Sequence, residues 1–222
     1  MTAPYNPLDK MNLGRSVAEA LLLRSVSPLL RVADLVGAGV YAIYYSGDFE
    51  PYGLVAAKNS NGAFDQPIYV GKAVPKGARK GGLSFDAAKG KALRDRLRQH
   101  AGSISEAGNL ELADFHYRSL VVDDIWIPLG ENMMIEQFKP IWNLVIDGFG
   151  NKDPGKRRAS QYRSPWDVLH QGRQFAEKLA DGNTTAEMLT TRLKAYFAGQ
   201  FVPLIPTEEA GDIGVSEDDD DD

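Results

Sequence analysis

Gly37-Ala38-Gly39-Val40-Tyr41-Ala42-Ile43-Tyr44-Tyr45, followed by Pro67-Ile68-Tyr69-Val70-Gly71-Lys72, is the stretch on which the fold turns. β-branched and aromatic residues follow two glycines, so Val40 to Tyr45 reads as a strand and Pro67 to Gly71 as a short second one. Phe115 to Val122 reads as a third. Between the first two strands, residues 46–66 are polar, contain glycine and Pro51, and read as a long loop. Residues 73–87 form a Gly/Lys-rich loop. Helical periodicity runs from Ala88 to Ala101 and again from Glu131 to Phe138, where Pro140 stops it. Ile141 to Ile146 reads as extended. Upstream, residues 1–15 read as a flexible start. Ser16 and Glu19 then have capping-box spacing before a short helix that ends ahead of Pro28. Downstream, Ser164-Pro165 opens a helix to about Leu179, and Thr184 with Glu187 opens another to about Phe197. The expected class is α/β (α+β): a small three-stranded, mainly antiparallel sheet flanked by helices, with helical additions at both ends. The expected organisation is an N-terminal helical extension over residues 1–35, a core over 36–146, a basic loop with C-terminal helices over 147–200, and an acidic disordered tail over 201–222.

Chemistry first becomes visible on the helix Leu93-Arg94-Asp95-Arg96-Leu97-Arg98-Gln99-His100. At about 100° per residue, with Leu93 at 0°, Leu97 lies near 40°, His100 near −20° and Arg96 near −60°. Lys91, Arg94 and Arg98 lie on the opposite side. Arg96 and His100 therefore share the apolar stripe, where an unpartnered charge is costly. The same arithmetic on the next helix puts Glu131 with Met134, Ile135 and Phe138, and turns Glu136 to solvent. Glu131 reads either as a capping glutamate near a helix N-terminus or as a metal ligand. Of the other histidines, His116 reads as structural or exposed and His170 as a satisfied surface residue, while Trp142 and Trp166 read as core.

Charge and composition narrow the function. The 222 residues carry a formal charge of −5 and no cysteine, so disulfides, thiolate nucleophiles and cysteine-bound zinc are excluded. Residues 207–222 hold nine acids and no base; the 206 residues before them sum to +4. Bases concentrate between Lys72 and His100, nine against two acids, and again between Lys152 and Arg173, six against two. Basic patches on a nearly neutral body are the footprint of polyanion binding. No apolar run reaches the roughly 18–20 residues of a membrane span, and no basic segment followed by an apolar one opens the chain. A cytoplasmic protein is expected.

Taken in order, Gly39-Val40-Tyr41, Tyr69-Val70-Gly71, Arg96, His100, Glu131 and Asn143 resemble the GIY-YIG nuclease superfamily. The surrounding text, Pro67-Ile68-Tyr69-Val70-Gly71-Lys72-Ala73-Val74-Pro75, Lys139-Pro140-Ile141-Trp142-Asn143 and Asp147-Gly148-Phe149-Gly150-Asn151, resembles the small type II restriction endonucleases that cut CCGCGG. The likeness covers roughly residues 36–180. Valine stands for isoleucine in both signature tripeptides, and the gap from Tyr41 to Tyr69 is long. The resemblance implies Mg²⁺-dependent (or Mn²⁺-dependent) hydrolysis of double-stranded DNA at a short G·C-rich palindrome. It implies Glu131 as metal ligand, Arg96 on the scissile phosphate and Tyr41 on the attacking water as general base. Lys72, Arg96 or the metal would assist Tyr41. Tyr69 would orient water or phosphate, His100 would relay a proton or hold Tyr41, and Asn143 would position Glu131. Candidate DNA contacts are Lys76, Arg79, Lys80, Arg94, Arg98, Asn151, Lys152, Asp153, Lys156, Arg157 and Arg158, since Arg and Lys read guanine and Asp reads cytosine. A palindromic target implies a homodimer at least on DNA, with the helices after Ser164 or the N-terminal helix at its interface. A cognate DNA methyltransferase is the implied partner in the cell. A GIY-YIG repair or mobile-element nuclease, or a catalytically inactive DNA-binding relative, stays open beside this reading.

Overall fold

The computed structural model describes residues 6, 8–74, 90–153 and 161–203. Its sheet has four antiparallel strands, β1 (Ser27–Pro28), β2 (Gly39–Tyr45), β3 (Pro67–Ala73) and β4 (Phe115–Val121), in the order β1-β4-β2-β3. The sequence led to three. The fourth is two residues long and contains Pro28, which lacks an N–H and is therefore tolerated only at a sheet edge. All seven residues of the central strand β2 are buried, because both faces of the sheet are covered. Tyr41, Ile43 and Tyr45 join one apolar cluster and Val40, Ala42 and Tyr44 the other, as the two-residue period requires.

Seven α-helices are described: α1 (Lys10–Leu22), α2 (Gly53–Asn59), α3 (Ala92–Glu106), α4 (Ile127–Phe138), α5 (Ile141–Leu144), α6 (Pro165–Leu169) and α7 (Ala186–Phe197). Helix α1 starts at an Asp9 cap, not at Ser16, so much of the expected flexible start is helical. Its Gly14, Ala18 and Leu21 are buried, and a Cβ on Gly14 would run into Met133 of α4. This face of α1 is therefore engaged within the chain, against α4.

Three other expectations give way to packing. Residues 46–66 are not a loop. Pro51 sits in the first turn of a 3₁₀ segment that leads into α2, and Tyr52, Val55 and Asn59 turn inward from it. Ile141 to Ile146 is not extended: Lys139 takes a left-handed conformation that ends α4, and α5 then buries Ile141 and Trp142. Ser164 caps α6 as expected, its hydroxyl accepting from the Asp167 N–H. That helix stops at Leu169 rather than near Leu179, because Gly172, at φ 134°, presses its backbone against the Glu106 carbonyl. Helix α7 is capped by Thr185. Trp142 and Trp166 are core residues, as expected. Among the described residues no helix is long and apolar enough to cross a membrane.

Candidate active site

The site forms where β2, β3 and α3 meet. Tyr41 pairs with Gly71 across the β2–β3 ladder. A Cβ on Gly71 would lie 2.4 Å from the Tyr41 hydroxyl and 2.9 Å from the Tyr69 ring. Glycine is thus the residue that lets two tyrosines share this patch of sheet. Their ring centroids are 6.3 Å apart.

Helix α3 brings Arg96 and His100 over the tyrosines, on the inward face that its periodicity gave them. His100 is fully buried, and its Nε2 lies 2.6 Å from the Tyr41 hydroxyl. Burial, with the charges of Arg96 and Arg173, holds the His100 imidazole well below its usual pKa of 6.5, so the ring is neutral. Burial also pushes the Tyr41 phenol well above 10, followed by repulsion from Tyr69, while Arg96 pulls it down. Tyr69 is raised for the same first reason, again opposed by Arg96. Both tyrosines are therefore protonated in this state, and the expected lowering at Tyr41 is outweighed by desolvation. Arg96 is held by Gln99 Oε1 at 2.8 Å and by the Gly150 carbonyl at 3.0 Å.

Glu131 reaches the same place from α4. It stands in the second turn of that helix, which begins at Ile127, and not at its N-terminus. Its Oε2 accepts from Lys72 Nζ at 2.6 Å, and its side chain is 14% exposed. Its charge is felt by both tyrosines. Glu136 is exposed, as the helical arithmetic required. Asn143 serves a different neighbour from the one expected: its amide accepts from the Val70 N–H at 2.8 Å and donates to the Val70 carbonyl at 2.9 Å. It clips α5 to β3 beside Tyr69.

Residues 33–197 match the family model described as the Eco29kI GIY-YIG domain, after a restriction endonuclease that cuts CCGCGG. The chain belongs to this family. It carries a restriction-type GIY-YIG nuclease domain, whose partner is DNA. Comparison with curated proteins gives no match.

Seen in this GIY-YIG domain, the expected site residues divide into four groups. Tyr41, Tyr69, Lys72, Arg96, His100 and Glu131 converge, with Asn143 behind them. Asn151, Lys152 and Asp153 line a groove of about 470 Å³ against Gln99, Gly102, Ser103 and Glu106 of α3. Arg98 is exposed. Arg94 is bonded to Asp34 and Asp95. Lys76, Arg79, Lys80, Lys156, Arg157 and Arg158 lie outside the described residues, as does the acidic tail from residue 204 on.

Of the other two histidines, only His170 departs from its expected place. His116 is half-buried against Phe64, and burial lowers its pKa. His170 is not on the surface. It is wholly buried, with Nε2 2.6 Å from the Tyr52 hydroxyl and Nδ1 2.8 Å from Asn109 Oδ1. The inward turn of α6 that buries it is set by tertiary packing. Arg173, counted in the sequence with the basic cluster, is also buried, in an ion pair with Asp167.

Sequence reading missed Gln99, Phe149 and Gly150. Gln99 stands three residues after Arg96, so helical spacing carried the signal. Phe149 stacks on His100 at 4.4 Å and 17°, and Gly150 supplies a carbonyl to Arg96. Nothing in a Gly-Phe-Gly loop announces those contacts.

Proposed function

We propose that the protein is a type II restriction endonuclease that hydrolyses double-stranded DNA at a short G·C-rich palindrome, CCGCGG being the target suggested by its Eco29kI relative. The observation that carries the reading is the short contact between Tyr41 and a neutral, buried His100, with Arg96 and Glu131 beside it. The Tyr41 hydroxyl takes a proton from the attacking water while passing its own to His100 Nε2, so the phenol never stands as a buried phenolate, and the positive charge that falls on His100 is balanced by the negative charge developing on the phosphate. Arg96 offers its planar fork to the scissile phosphate, and Tyr69 donates to the phosphate or the water.

The residues fit a hard divalent cation. The Glu131 carboxylate already accepts one positive charge, the Lys72 ammonium, at the edge of the site. Mg²⁺ and Mn²⁺ are held through one or two carboxylates and complete their shell with water and phosphate oxygens, so Glu131 would be the protein ligand. When bound at Glu131, the ion polarises the phosphate and stabilises the leaving oxygen. A palindromic target calls for two copies of the chain on one duplex, and such an enzyme calls for a methyltransferase that protects the host's own sites.

The test is digestion of plasmid DNA with Mg²⁺, followed by sequencing of the ends. Discrete fragments with a common palindromic end are expected from the wild type, and none from Glu131→Gln. Duplex binding without cleavage by the wild type would instead favour the inactive DNA-binding reading.

A further inference from the structure

We propose that Arg173 is a positioning residue, one that holds the turn 148–151 against Arg96 and His100 and so sets the geometry of the site. The inference rests on the nuclease reading above. An arginine has five N–H donors in a rigid fork, and all five are used here. Nε and Nη2 take the two Asp167 oxygens at 2.6 and 2.7 Å. Nη2 also takes the Gly148 carbonyl at 3.0 Å. Nη1 takes the carbonyls of Phe149 at 3.1 Å and Asn151 at 3.4 Å. Asp167 is fixed in turn by the Ser164 hydroxyl, at 2.6 Å. Both partners of the pair are sealed from solvent, at 1% and 2% exposure.

A buried ion pair is weak evidence for stability, because desolvation offsets much of its attraction. What this one does is geometric. Three of its acceptors are consecutive or near-consecutive backbone carbonyls of a turn that has no sheet or helix ladder to hold it. The fourth carbonyl of that turn, of Gly150, is the one that accepts from Arg96. The ring between them, Phe149, is the one stacked on His100. A Cβ on Gly150 would stand 3.0 Å from the Tyr69 hydroxyl and 3.1 Å from Arg96 Nη2, so the turn lies close against the site. The same turn runs directly into Asn151, Lys152 and Asp153, which share a groove with Arg173. Arg173 also stands among the charges that keep His100 neutral, after burial and Arg96.

Lysine keeps the charge but brings three donors on one atom, which cannot span a carboxylate and three carbonyls. Arg173→Lys is therefore the decisive variant, with three readouts. Its kcat for duplex cleavage is expected to fall roughly 10–100-fold, the scale of a misplacement of about 1 Å. Its KM, and its duplex affinity without divalent ion, are expected to change by less than kcat does, since Arg173 itself touches neither phosphate nor base. The chain has three histidines, so their ring signals in the NMR spectrum are separable. Those of His100 are expected to move and those of His116 to stay. A folded variant with wild-type kcat and unmoved His100 signals overturns the proposal, and so does a loss carried by KM and affinity with kcat preserved. If Arg173→Lys does not fold, Asp167→Asn decides, because an amide cannot accept from both Nε and Nη2 of Arg173 and the change touches no group of the site. The same kcat-selective loss is expected there, and a wild-type kcat overturns the proposal. The NMR readout needs no cleavage. A wild type that cuts no DNA sinks the nuclease reading, while the His100 signals still decide the tether.

Discussion

Two tyrosine–histidine pairs stand in this domain with the same geometry and opposite surroundings. Tyr41 and His100 are 2.6 Å apart, and so are Tyr52 and His170. All four side chains are buried. The second pair is closed. The Tyr52 hydroxyl also accepts from Trp142 Nε1 at 2.9 Å, and His170 Nδ1 meets Asn109, whose amide is itself bonded to the Leu169 carbonyl. Aromatic rings enclose it, with Phe49, Trp142 and Trp166 against His170. The first pair instead adjoins a guanidinium, a carboxylate and a second phenol. A buried Tyr–His hydrogen bond is thus not in itself a catalytic feature. What separates the two pairs is whether charged groups lie next to them.

Substitutions that strip each pair in turn make this contrast sharp. The largest effect is expected at Tyr41→Phe, which removes the hydroxyl proposed to take the proton of the attacking water. Duplex cleavage should fall by roughly 10²–10⁴-fold, with a loss of stability no larger than that of Tyr52→Phe, since one buried partner, His100, is left unsatisfied. A variant that retains wild-type turnover would remove Tyr41 from proton transfer. Gly71→Ala should come next, at about 10²-fold, because its new methyl displaces the Tyr41 hydroxyl from 2.4 Å away. Gly53→Ala is its control: a Cβ there meets nothing within 4 Å, and its cleavage rate should match wild type.

The closed pair should respond in stability, not in turnover. Tyr52→Phe leaves Trp142 Nε1 and His170 without their partner, so urea unfolding should show a loss of roughly 1–3 kcal/mol. The folded fraction should cut DNA at close to the wild-type rate. Equal losses of turnover in Tyr41→Phe and Tyr52→Phe would erase the distinction between the two pairs. The smallest effect concerns pH. Burial holds His170 down at about 3, from a usual 6.5. The unfolded chain therefore binds a proton here that the folded chain does not, and stability falls as the pH drops below about 6.5 towards about 3. From pH 6.5 to pH 5 this should amount to about 1–2 kcal/mol, on a background to which His100 contributes with the same sign. Unfolding measured at both pH values should show a shallower dependence in His170→Gln; an unchanged slope would mean that the imidazole is not protected when folded.

Much of the site was legible before any coordinates. The helical period alone placed Arg96 and His100 inward and Glu136 outward, because a side chain's direction on a helix is a matter of residue count. The order of the tyrosine tripeptides, Arg96, His100, Glu131 and Asn143 was enough to point to the family. Local signals also gave three of the four strands and the Ser164 cap. They failed where a residue type has two uses. Pro51 fits a loop equally well but sits in a first helical turn, and Pro28 marks a helix end but also pairs at a sheet edge.

Chain order determined which reactive groups the protein owns and which of them share a helix face, because those depend on covalent spacing and backbone period. Only the tertiary structure decided what each group is for. Asn143 binds Val70 rather than Glu131, Arg173 closes on Asp167 rather than facing solvent, and His170 is sealed inside rather than exposed. Each of these outcomes depends on partners more than twenty residues away in sequence, or on where a turn such as Gly172 bends the chain. Burial and hydrogen-bond satisfaction act on distances in space, and these were set only when the sheet and helices closed on one another.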